Sequence, residues 1–393
     1  MNSVILSPVD YLFTGVGSQP ITFAFYYHDY LDLKRLQDSF TRSLEYFPIL
    51  QSQLIQVSET EYQYSLQENG LLFETHEVDS TFQDSDNIEK YIIPVKSIPG
   101  QPLSKIALTR TSRGSVLAVS ISHALVDGFS YFHFLSSWAR LCRGENFIPP
   151  SLERKICNKY PADPAEKITA AKLVDHCGLF YTNQPRLEKT VQKNKEKIFI
   201  SDETIGSVQE EMRQELQIAF TVNDVITAMV WKKYLPLWNN DGNYLDTYLT
   251  CPFDFRRALT DFPKYYFGCA LCFATASIDL HSLLKSSLGA LALRIRNSIT
   301  KIKQDYIMRS LQTLDNFRWQ HGLLSMENLH LRHPVSGIIV TNLTRLPIAD
   351  LDFGLGVPAG FLTYAEVSRS AAILAAKGGV QVMVYHPIIR ENV

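Results

Sequence analysis

The sequence predicts an α/β protein made of two similar domains, each with a mixed β-sheet flanked by helices. With 393 residues, the chain is longer than a single hydrophobic core usually accommodates. Apolar periodicities typical of strands and of helices occur in both halves. Between them, residues 143–195 are interrupted by prolines and lysines and show no sustained periodicity. We therefore predict a first domain at residues 1–170, a linker at 171–195 and a second domain at 196–393, with the crossover at residues 143–195 solvated along much of its length.

The first half alternates short strands with two amphipathic helices. Strands are predicted where aromatic and β-branched residues cluster or alternate with polar ones, and helices where apolar residues recur every three or four positions. Pro48 ends the first helix, and prolines divide residues 68–104 into short pieces. The predicted elements are strands at 21–28, 49–58, 62–66 and 115–121 and helices at 31–46 and 129–141.

The second half has a similar content but no regular strand–helix alternation. Ser201 is a plausible N-cap, and the acidic residues that follow it suit the first turn of a helix. The predicted elements are strands at 198–200, 248–252, 268–276, 335–341, 361–367 and 379–385 and helices at 202–216, 221–234, 280–304 and 308–320. The pattern excludes a doubly wound nucleotide-binding fold, and neither a Gly-rich phosphate loop nor a Gly-x-Ser-x-Gly elbow is present.

Composition excludes several functional classes. The net charge is −2 and the basic residues are scattered, so we expect no nucleic-acid partner. No apolar run reaches membrane-spanning length, and the N-terminus lacks the features of a signal peptide. The six cysteines include Cys269 and Cys272, at redox-motif spacing but without a second pair or a nearby histidine. We expect buried thiols in the cytoplasm, with no metal and no bound cofactor.

The turn between the strand at 115–121 and the helix at 129–141 is the candidate site. It contains His123, Asp127 and Gly128. An imidazole in such a turn reaches a cleft and titrates near neutral pH, which suits a general base, and a glycine permits a backbone conformation that is strained for other residues. A hydrogen-bonded structural histidine is the alternative, and it is the commoner outcome for a lone histidine.

Five segments together resemble the BAHD acyltransferases, which belong with chloramphenicol acetyltransferase and the condensation domains of peptide synthetases. His123-Ala-Leu-Val-Asp127-Gly128 is similar to the family's His-x-x-x-Asp-Gly signature, and Asp352-Phe-Gly354-Leu-Gly356 to its Asp-Phe-Gly-Trp-Gly signature. The other three segments, in family order, are Asp254-Phe-Arg256, Tyr266-Phe-Gly268-Cys-Ala270 and Thr341-Asn-Leu-Thr-Arg345-Leu-Pro347. Each segment is weak evidence alone, but their order and spacing make chance recurrence implausible.

The resemblance implies a fold of the chloramphenicol acetyltransferase type and a monomeric enzyme. An acyl-CoA would serve as cosubstrate, and a small alcohol or amine as acceptor. His123 would be the general base, no acyl-enzyme would form, and Thr341 would donate its hydroxyl to the oxyanion. Asp127 would form a salt bridge with Arg256 that holds the turn, although a helix-capping role for Asp127 and a backbone-satisfied Thr341 stay open.

The remaining signature residues are expected to support the structure. Asp352, Gly354 and Gly356 form a glycine-rich loop in which an arginine would brace the aspartate. Lysines at the end of the crossover are interpreted as solvated, or alternatively as partners for the phosphates of coenzyme A; they are Lys189, Lys193, Lys195 and Lys197.

Three residues depart from the family pattern, and two other functions stay open. Leu355 and Leu343 replace tryptophans and Cys269 replaces an asparagine; the Leu343 change is the one expected to reshape the acceptor pocket. The alternative functions are acyl transfer from a carrier-protein thioester and a non-catalytic binding protein that keeps the fold. The joint presence of His123, Asp127 and Arg256 argues against the binder.

Overall fold

The computed structural model describes residues 3–67, 72–159, 163, 165–186, 195–239, 244–363 and 367–387. Two mixed sheets, of six and five strands, dominate these ranges. The strands in chain order are β1 (Ser3–Ile5), β2 (Ile21–Tyr27), β3 (Ser52–Gln56), β4 (Tyr62–Leu66), β5 (Leu72–Glu77), β6 (Ser104–Thr111), β7 (Gly114–Ile121), β8 (Phe180–Tyr181), β9 (Lys195–Ser201), β10 (Asp246–Asp254), β11 (Leu271–Asp279), β12 (Leu329–His330), β13 (Gly337–Asn342), β14 (Gly360–Thr363), β15 (Ser370–Ala376) and β16 (Gly379–Tyr385).

The described residues form eight α-helices, of which seven begin at a residue whose side chain caps the helix. In chain order they are α1 (Leu33–Leu44), α2 (Gly128–Arg143), α3 (Ala170–Cys177), α4 (Asp202–Leu216), α5 (Val222–Trp238), α6 (Leu280–Lys285), α7 (Leu288–Thr300) and α8 (Gln304–Met326). Ser201 caps α4 by accepting from the Thr204 N–H, which confirms the predicted N-cap.

The first large sheet has the order β14–β2–β7–β6–β5. Strand β7 lies at its centre, antiparallel to both β2 and β6. All eight residues of β7 are buried, because small side chains such as Ala118 pack on one face and larger ones such as Leu117 and Val119 join the main core on the other. Helices α1 and α2 cover that second face, with Trp138 of α2 against Phe40 of α1 at 5.2 Å between ring centroids. The predicted buried strand is therefore confirmed.

The second large sheet has the order β11–β10–β13–β15–β16–β9. Strands β10, β13 and β15 are parallel to one another, and the outer pairs are antiparallel. Buried side chains of α5 and α7, among them Trp231 and Leu291, join the main core with Leu249 and Ile338 of the sheet. The C-terminal end of β10 leads to Arg256, which binds Asp127 of the first half.

One strand crosses between the halves. β14 pairs antiparallel with β2, Phe361 opposite Phe25, and so belongs to the first sheet. The sequence predicts a strand at 361–367 among those of the second half; the structure has Gly360–Thr363, and residues 364–366 lie outside the described part. Phe361 is drawn to the first sheet because its ring contacts Phe23 and Phe25 at 5.9 and 6.4 Å.

Much of the described crossover is exposed, as expected, but several of its residues are buried against distant elements. Arg154 is only 2% exposed. Helix α3 buries Leu173 and Cys177, and the Cys177 thiol reaches the Ser310 carbonyl of α8 at 3.6 Å. Strand β8 pairs with β12. The partners lie more than a hundred residues away, so local composition could not reveal them. The domain boundaries at 170 and 195 stay a prediction.

Several elements differ from the predicted ones. The predicted helix at 280–304 is two helices, because Ser287 begins α7 as an N-cap by accepting from the Ala290 N–H. Strand β15 was not predicted, since its alanines favour a helix and only pairing with β13 and β16 makes it a strand. Strand β6 was also not predicted. Lys195 and Lys197 are exposed, and Lys189 and Lys193 lie outside the described residues.

Candidate active site

The candidate turn joins the central strand of the first sheet to helix α2. Asp127 caps α2, its Oδ1 accepting from the Ser130 N–H at 2.9 Å. Gly128 is the first residue of the helix and has no positive φ, and a Cβ there would meet no atom within 4 Å. The expectation that Gly128 relieves backbone strain is therefore wrong. Its lack of a side chain instead leaves open space at the start of α2.

His123 is held by stacking rather than by hydrogen bonds. Its imidazole lies on the ring of Phe13, with centroids 4.0 Å apart and planes inclined by 9°. Its Nδ1 is buried and has no well-aligned hydrogen-bond partner in the described part of the chain. The half-buried side chain therefore has Nε2 as the nitrogen available to a second molecule. Burial lowers the pKa of His123 below 6.5, although its own backbone and the charge of Asp127 act in the opposite direction.

Asp127 and Arg256 form a buried bidentate salt bridge. The Arg256 Nη1 and Nη2 atoms lie 2.6 and 2.9 Å from the two Asp127 oxygens, and the residues are 1% and 4% exposed. Asp127 Oδ2 also accepts from the Ala270 N–H at 2.9 Å. Arg256 in turn donates to the Gly268 carbonyl at 3.0 Å. The pair thus joins α2 of the first half to the β10–β11 connection of the second.

The Asp127 carboxylate accepts hydrogen bonds from other groups than His123. Each oxygen accepts from one arginine nitrogen and one backbone N–H. Burial by itself would raise the pKa of Asp127, but Arg256 and these N–H groups outweigh it and hold the pKa below 3.8. Both alternatives for Asp127 hold together, since one carboxylate caps α2 and forms the salt bridge.

A second buried pair, which the sequence did not predict, touches the same turn. Arg154 Nη1 lies 2.9 Å from Asp10 Oδ2, and Arg154 Nη2 donates to the Leu125 carbonyl. The Tyr64 hydroxyl donates to the neighbouring Ala124 carbonyl at 2.7 Å. Asp10 begins the 3₁₀ helix Asp10–Phe13, which also carries Phe13. No local pattern in the sequence indicates this pair, because its two residues are 144 positions apart.

Thr341 lies near the end of β13, opposite Ala372 of β15. Its side chain is half-buried, and its hydroxyl has no hydrogen-bond partner among the described residues. The alternative of a hydroxyl satisfied by the backbone is therefore wrong in this structure. A free hydroxyl at a strand end is available to a ligand.

The Asp352–Gly356 loop lies at the opposite end of α2 from His123. Phe353 packs on Trp138, with centroids 4.8 Å apart, and α2 is long enough to separate its two ends by roughly 20 Å. Asp352 Oδ1 accepts from the Gly354 and Gly356 N–H groups at 2.7 and 2.9 Å.

The expected arginine is present, but it does not brace the carboxylate. Arg143 donates to the backbone carbonyl of Asp352, so the arginine holds the main chain of the loop. Gly354 and Gly356 have φ of 102° and 90°, a region that L-residues with side chains rarely adopt. A Cβ at Gly354 would also lie 2.9 Å from Arg35 Nη1.

A family model described as Transferase family matches residues 2–388. The chain belongs to this family, the BAHD acyltransferases. It is therefore a BAHD enzyme for which an acyl-CoA is the cosubstrate and a small molecule with a hydroxyl or amine the acceptor. The expectations for family, activity and cosubstrate are confirmed at this level.

Curated relatives of this BAHD chain are plant acyltransferases. Rosmarinate synthase of Plectranthus scutellarioides is 25% identical over 386 residues, which cover 90% of this chain and 83% of the relative. A hydroxycinnamoyltransferase of Narcissus pseudonarcissus is 24% identical, with 84% of this chain and 78% of the relative covered. A hydroxycinnamoyl-CoA:piscidic acid hydroxycinnamoyltransferase of Actaea racemosa is also 24% identical, but the match spans 70% of this chain and 64% of that protein.

Solved structures confirm the predicted fold class. TRI101 of F. graminearum, complexed with coenzyme A and T-2 mycotoxin, superposes with a TM-score of 0.77 at 15% identity, covering 98% of this chain and 95% of that one. Vinorine synthase superposes with a TM-score of 0.70 at 17% identity, covering 98% and 90%. These TM-scores establish the two-domain fold of the BAHD enzymes. At such low sequence identity they establish no finer property.

The three departures occupy different environments in the BAHD chain. Leu355 is 47% exposed, so a leucine in place of the family's tryptophan changes the protein surface and not the packing of the core. Leu343 is half-buried, and its N–H donates to the Ile373 carbonyl at 2.8 Å. Cys269 is fully buried between Gly268 and Ala270, the residues that bind Arg256 and Asp127. Only Leu343 lies beside Thr341, where an acceptor pocket is expected.

The described part of the chain has no helix long and apolar enough to cross a bilayer.

Proposed function

We propose that His123 is the general base of the acyl transfer and that no acyl-enzyme forms. Nε2 of His123 would take the proton from the acceptor's hydroxyl or amine as that group attacks the thioester carbonyl. The C–S bond then breaks, and the same nitrogen returns the proton to the departing coenzyme A thiolate. The observation that carries this role is the half-buried imidazole at the end of β7, with Nδ1 buried and Nε2 available.

The electrostatics of the turn support a base that is neutral at physiological pH. Burial lowers the pKa of His123, so the unprotonated ring dominates at pH 7 and can accept a proton. An alternative thiol nucleophile has little support. All six cysteines are buried, and burial raises the pKa of each thiol, as for Cys251 to about 12.

Asp127 and Arg256 are proposed to position the turn rather than to touch the reacting groups. Their hydrogen bonds are directed at each other and at backbone groups of α2 and the β10–β11 connection. Thr341 is proposed to donate its hydroxyl to the oxyanion of the tetrahedral intermediate, because that hydroxyl is free. The Asp352–Gly356 loop, at the far end of α2, is proposed to have a structural role only.

For the donor, we propose an aromatic acyl-CoA. The relatives are named for hydroxycinnamoyl transfer, and two others, from Dianthus caryophyllus, are anthranilate N-benzoyltransferases. These relatives are 21–24% identical to this chain. Their names share an aromatic acyl group but differ in the acceptor, so they support a proposal for the donor and not for the acceptor. The chain's own Leu343 departs from the family at the position expected to shape the acceptor pocket.

The test is a donor panel with a free-thiol readout. The protein is incubated with acetyl-, benzoyl- and hydroxycinnamoyl-CoA and a mixture of small alcohols and amines, and thiol release and acylated products are followed by absorbance and mass spectrometry. We expect acceptor-dependent thiol release with an aromatic donor. An acylated protein after mixing with donor alone would contradict the direct mechanism. If none of the acyl-CoA donors in the panel gives thiol release, the proposed function is contradicted.

We also propose a reducing compartment, the cytoplasm, for this chain. The six cysteines are free and buried, which is usual where thiols are kept reduced. The monomeric state stays a prediction, and size-exclusion chromatography with light scattering tests it.

A further inference from the structure

The ring of Phe13 covers one face of the His123 imidazole. The centroids are 4.0 Å apart and the planes are nearly parallel, at 9°. Phe13 is 5% exposed, so its ring is itself fixed by packing. Such a contact restricts rotation of the imidazole about its last side-chain bond, because any turn of the ring would drive its edge into the phenyl face.

No carboxylate performs this orientation. A general-base histidine is commonly fixed by an acidic residue bound to its second nitrogen. Here Nδ1 of His123 has no well-aligned partner, and both oxygens of Asp127 are engaged by Arg256 and backbone N–H groups. Phe13 is the aromatic ring in contact with the imidazole among the described residues, so the orienting contact is apolar.

The segment that carries Phe13 is anchored by arginines of the crossover. Arg154 binds Asp10 at 2.9 Å, at the start of the 3₁₀ helix. Arg186 donates to the Leu12 carbonyl and, at 3.3 Å, to the Thr14 carbonyl, on either side of Phe13. These contacts come from two separate parts of the crossover. The crossover therefore fixes the position of the phenyl ring.

We propose that Phe13 is a positioning residue for His123: it holds the plane of the imidazole and its π face stabilises the imidazolium that forms when the base has taken the acceptor's proton. The inference rests on the proposed role of His123. A cation placed over an aromatic face is attracted by the ring quadrupole. The neutral imidazole gains much less from the same face, so the contact is stronger after proton transfer than before it.

The carboxylates near the turn are all paired with arginines. Arg256 is shared by Asp127 and Asp254, and Asp10, on the element that carries Phe13, is paired with Arg154. Changes in the π face of Phe13 alter no formal charge, so a change in the titration of His123 would come from the stacking itself.

The experiment replaces Phe13 by phenylalanines that carry one, two or three ring fluorines. Fluorine weakens the π face with little change in volume. We expect kcat to fall stepwise, by roughly 3- to 30-fold over the series, with KM nearly unchanged. The acid limb of the kcat/KM profile should move to lower pH at each step, since the imidazolium loses stabilisation. A purely structural role would produce no such graded shift.

Leucine variants provide the matched control. Phe13→Leu keeps an apolar side chain without a π face and should follow the end of the fluorine series. Phe25→Leu removes a similarly buried ring, 1% exposed, whose ring contacts are Phe23, Phe132 and Phe361. It should lower the melting temperature without moving the pH limb.

The outcomes separate this inference from the proposed function. A fluorine series with no trend, beside an inactive His123→Ala, would overturn the role of Phe13 alone. Wild-type turnover by His123→Ala would overturn the general base and the role of Phe13 together.

Discussion

Two buried aspartate–arginine pairs contact the turn that contains His123, and they differ in how completely their hydrogen bonds are satisfied. In the Asp127–Arg256 pair, both carboxylate oxygens accept from the guanidinium and from a backbone N–H. In the Asp10–Arg154 pair, a single oxygen of Asp10 makes the contacts, while its Oδ1 and the Arg154 Nε have no hydrogen-bond partner among the described residues. Both pairs are nearly inaccessible to solvent.

The difference appears in the protonation of the two carboxyls. Burial raises the pKa of Asp10, and Arg154, Ser7 and Tyr64 only partly oppose that effect. Burial acts on Asp127 in the same direction, yet Arg256 and the backbone N–H groups reverse it and lower the pKa. Burial and one arginine are common to both sites, so the additional hydrogen bonds account for the opposite result. A buried ion pair stabilises a fold only when its remaining lone pairs are satisfied.

The largest effect is expected when Asp127 loses its partner. Arg256→Ala leaves a buried carboxylate uncompensated and should lower the free energy of unfolding by roughly 3–5 kcal/mol, with activity lost in parallel. Urea denaturation and kcat measure the two quantities. Arg257→Ala, at the exposed neighbouring position, is the matched control and should be nearly neutral.

A double-mutant cycle sharpens this prediction. Asp127→Ala combined with Arg256→Ala should cost much less than the sum of the single changes, because the two residues share one interaction. Additive losses would contradict the pairing. A severe loss of kcat in Asp127→Asn at unchanged melting temperature would instead indicate that Asp127 acts on His123 directly.

A smaller effect is expected when both charges of a pair are removed together. Asp10→Asn with Arg154→Met should cost about 2 kcal/mol less than Asp127→Asn with Arg256→Met. The first change removes the arginine donor of the Leu125 carbonyl and weakens one backbone N–H contact, from Ser7. The second removes the arginine donor of the Tyr266 and Gly268 carbonyls, weakens two backbone N–H contacts and separates Asp254 from the guanidinium. Equal costs, measured by urea denaturation at one pH, would remove the distinction between the pairs.

The smallest effect is on the pH dependence of stability, where the two pairs should have opposite signs. The lowered pKa of Asp127 contributes stability that is present above the unfolded value of 3.8 and is lost as pH falls through the folded pKa. The raised pKa of Asp10 contributes stability that is present below 3.8 and is lost as pH rises through the folded pKa.

Unfolding free energies over about pH 2.5 to 6 measure this difference. The gap between wild type and the Asp127→Asn, Arg256→Met variant should narrow as the solution is acidified. The gap between wild type and the Asp10→Asn, Arg154→Met variant should narrow as pH rises. Gaps that change in the same direction would show that the two carboxyls titrate alike.

The two pairs also mark what the sequence could predict. His123, Asp127 and Arg256 belong to short motifs whose residue types and order reveal them. Arg154 lies in a stretch of prolines and charges whose composition indicates solvent, and its partner Asp10 is 144 residues away. The stacking of Phe13 on His123 is equally non-local, since it depends on the 3₁₀ helix docking beneath the turn.

Helices and strands were likewise predicted correctly where local sequence specifies them, and missed or misplaced where distant contacts do. The helix at residues 202–216 was predicted at its bounds because its cap and periodicity are local. Strand β15 was missed because its alanines carry no local strand signal and only its neighbours in the sheet specify it. Likewise, β14 was predicted as a strand, but its place in the first sheet depends on contacts with Phe23 and Phe25.

The most direct test of the account is the turnover of His123→Ala with the best acyl-CoA and acceptor at saturation. The account predicts that kcat falls by roughly 10²- to 10⁴-fold. The melting temperature should stay near that of the wild type, because the His123 side chain makes no hydrogen bond that holds the turn. A kcat close to that of the wild type would contradict the assignment of His123 as the general base.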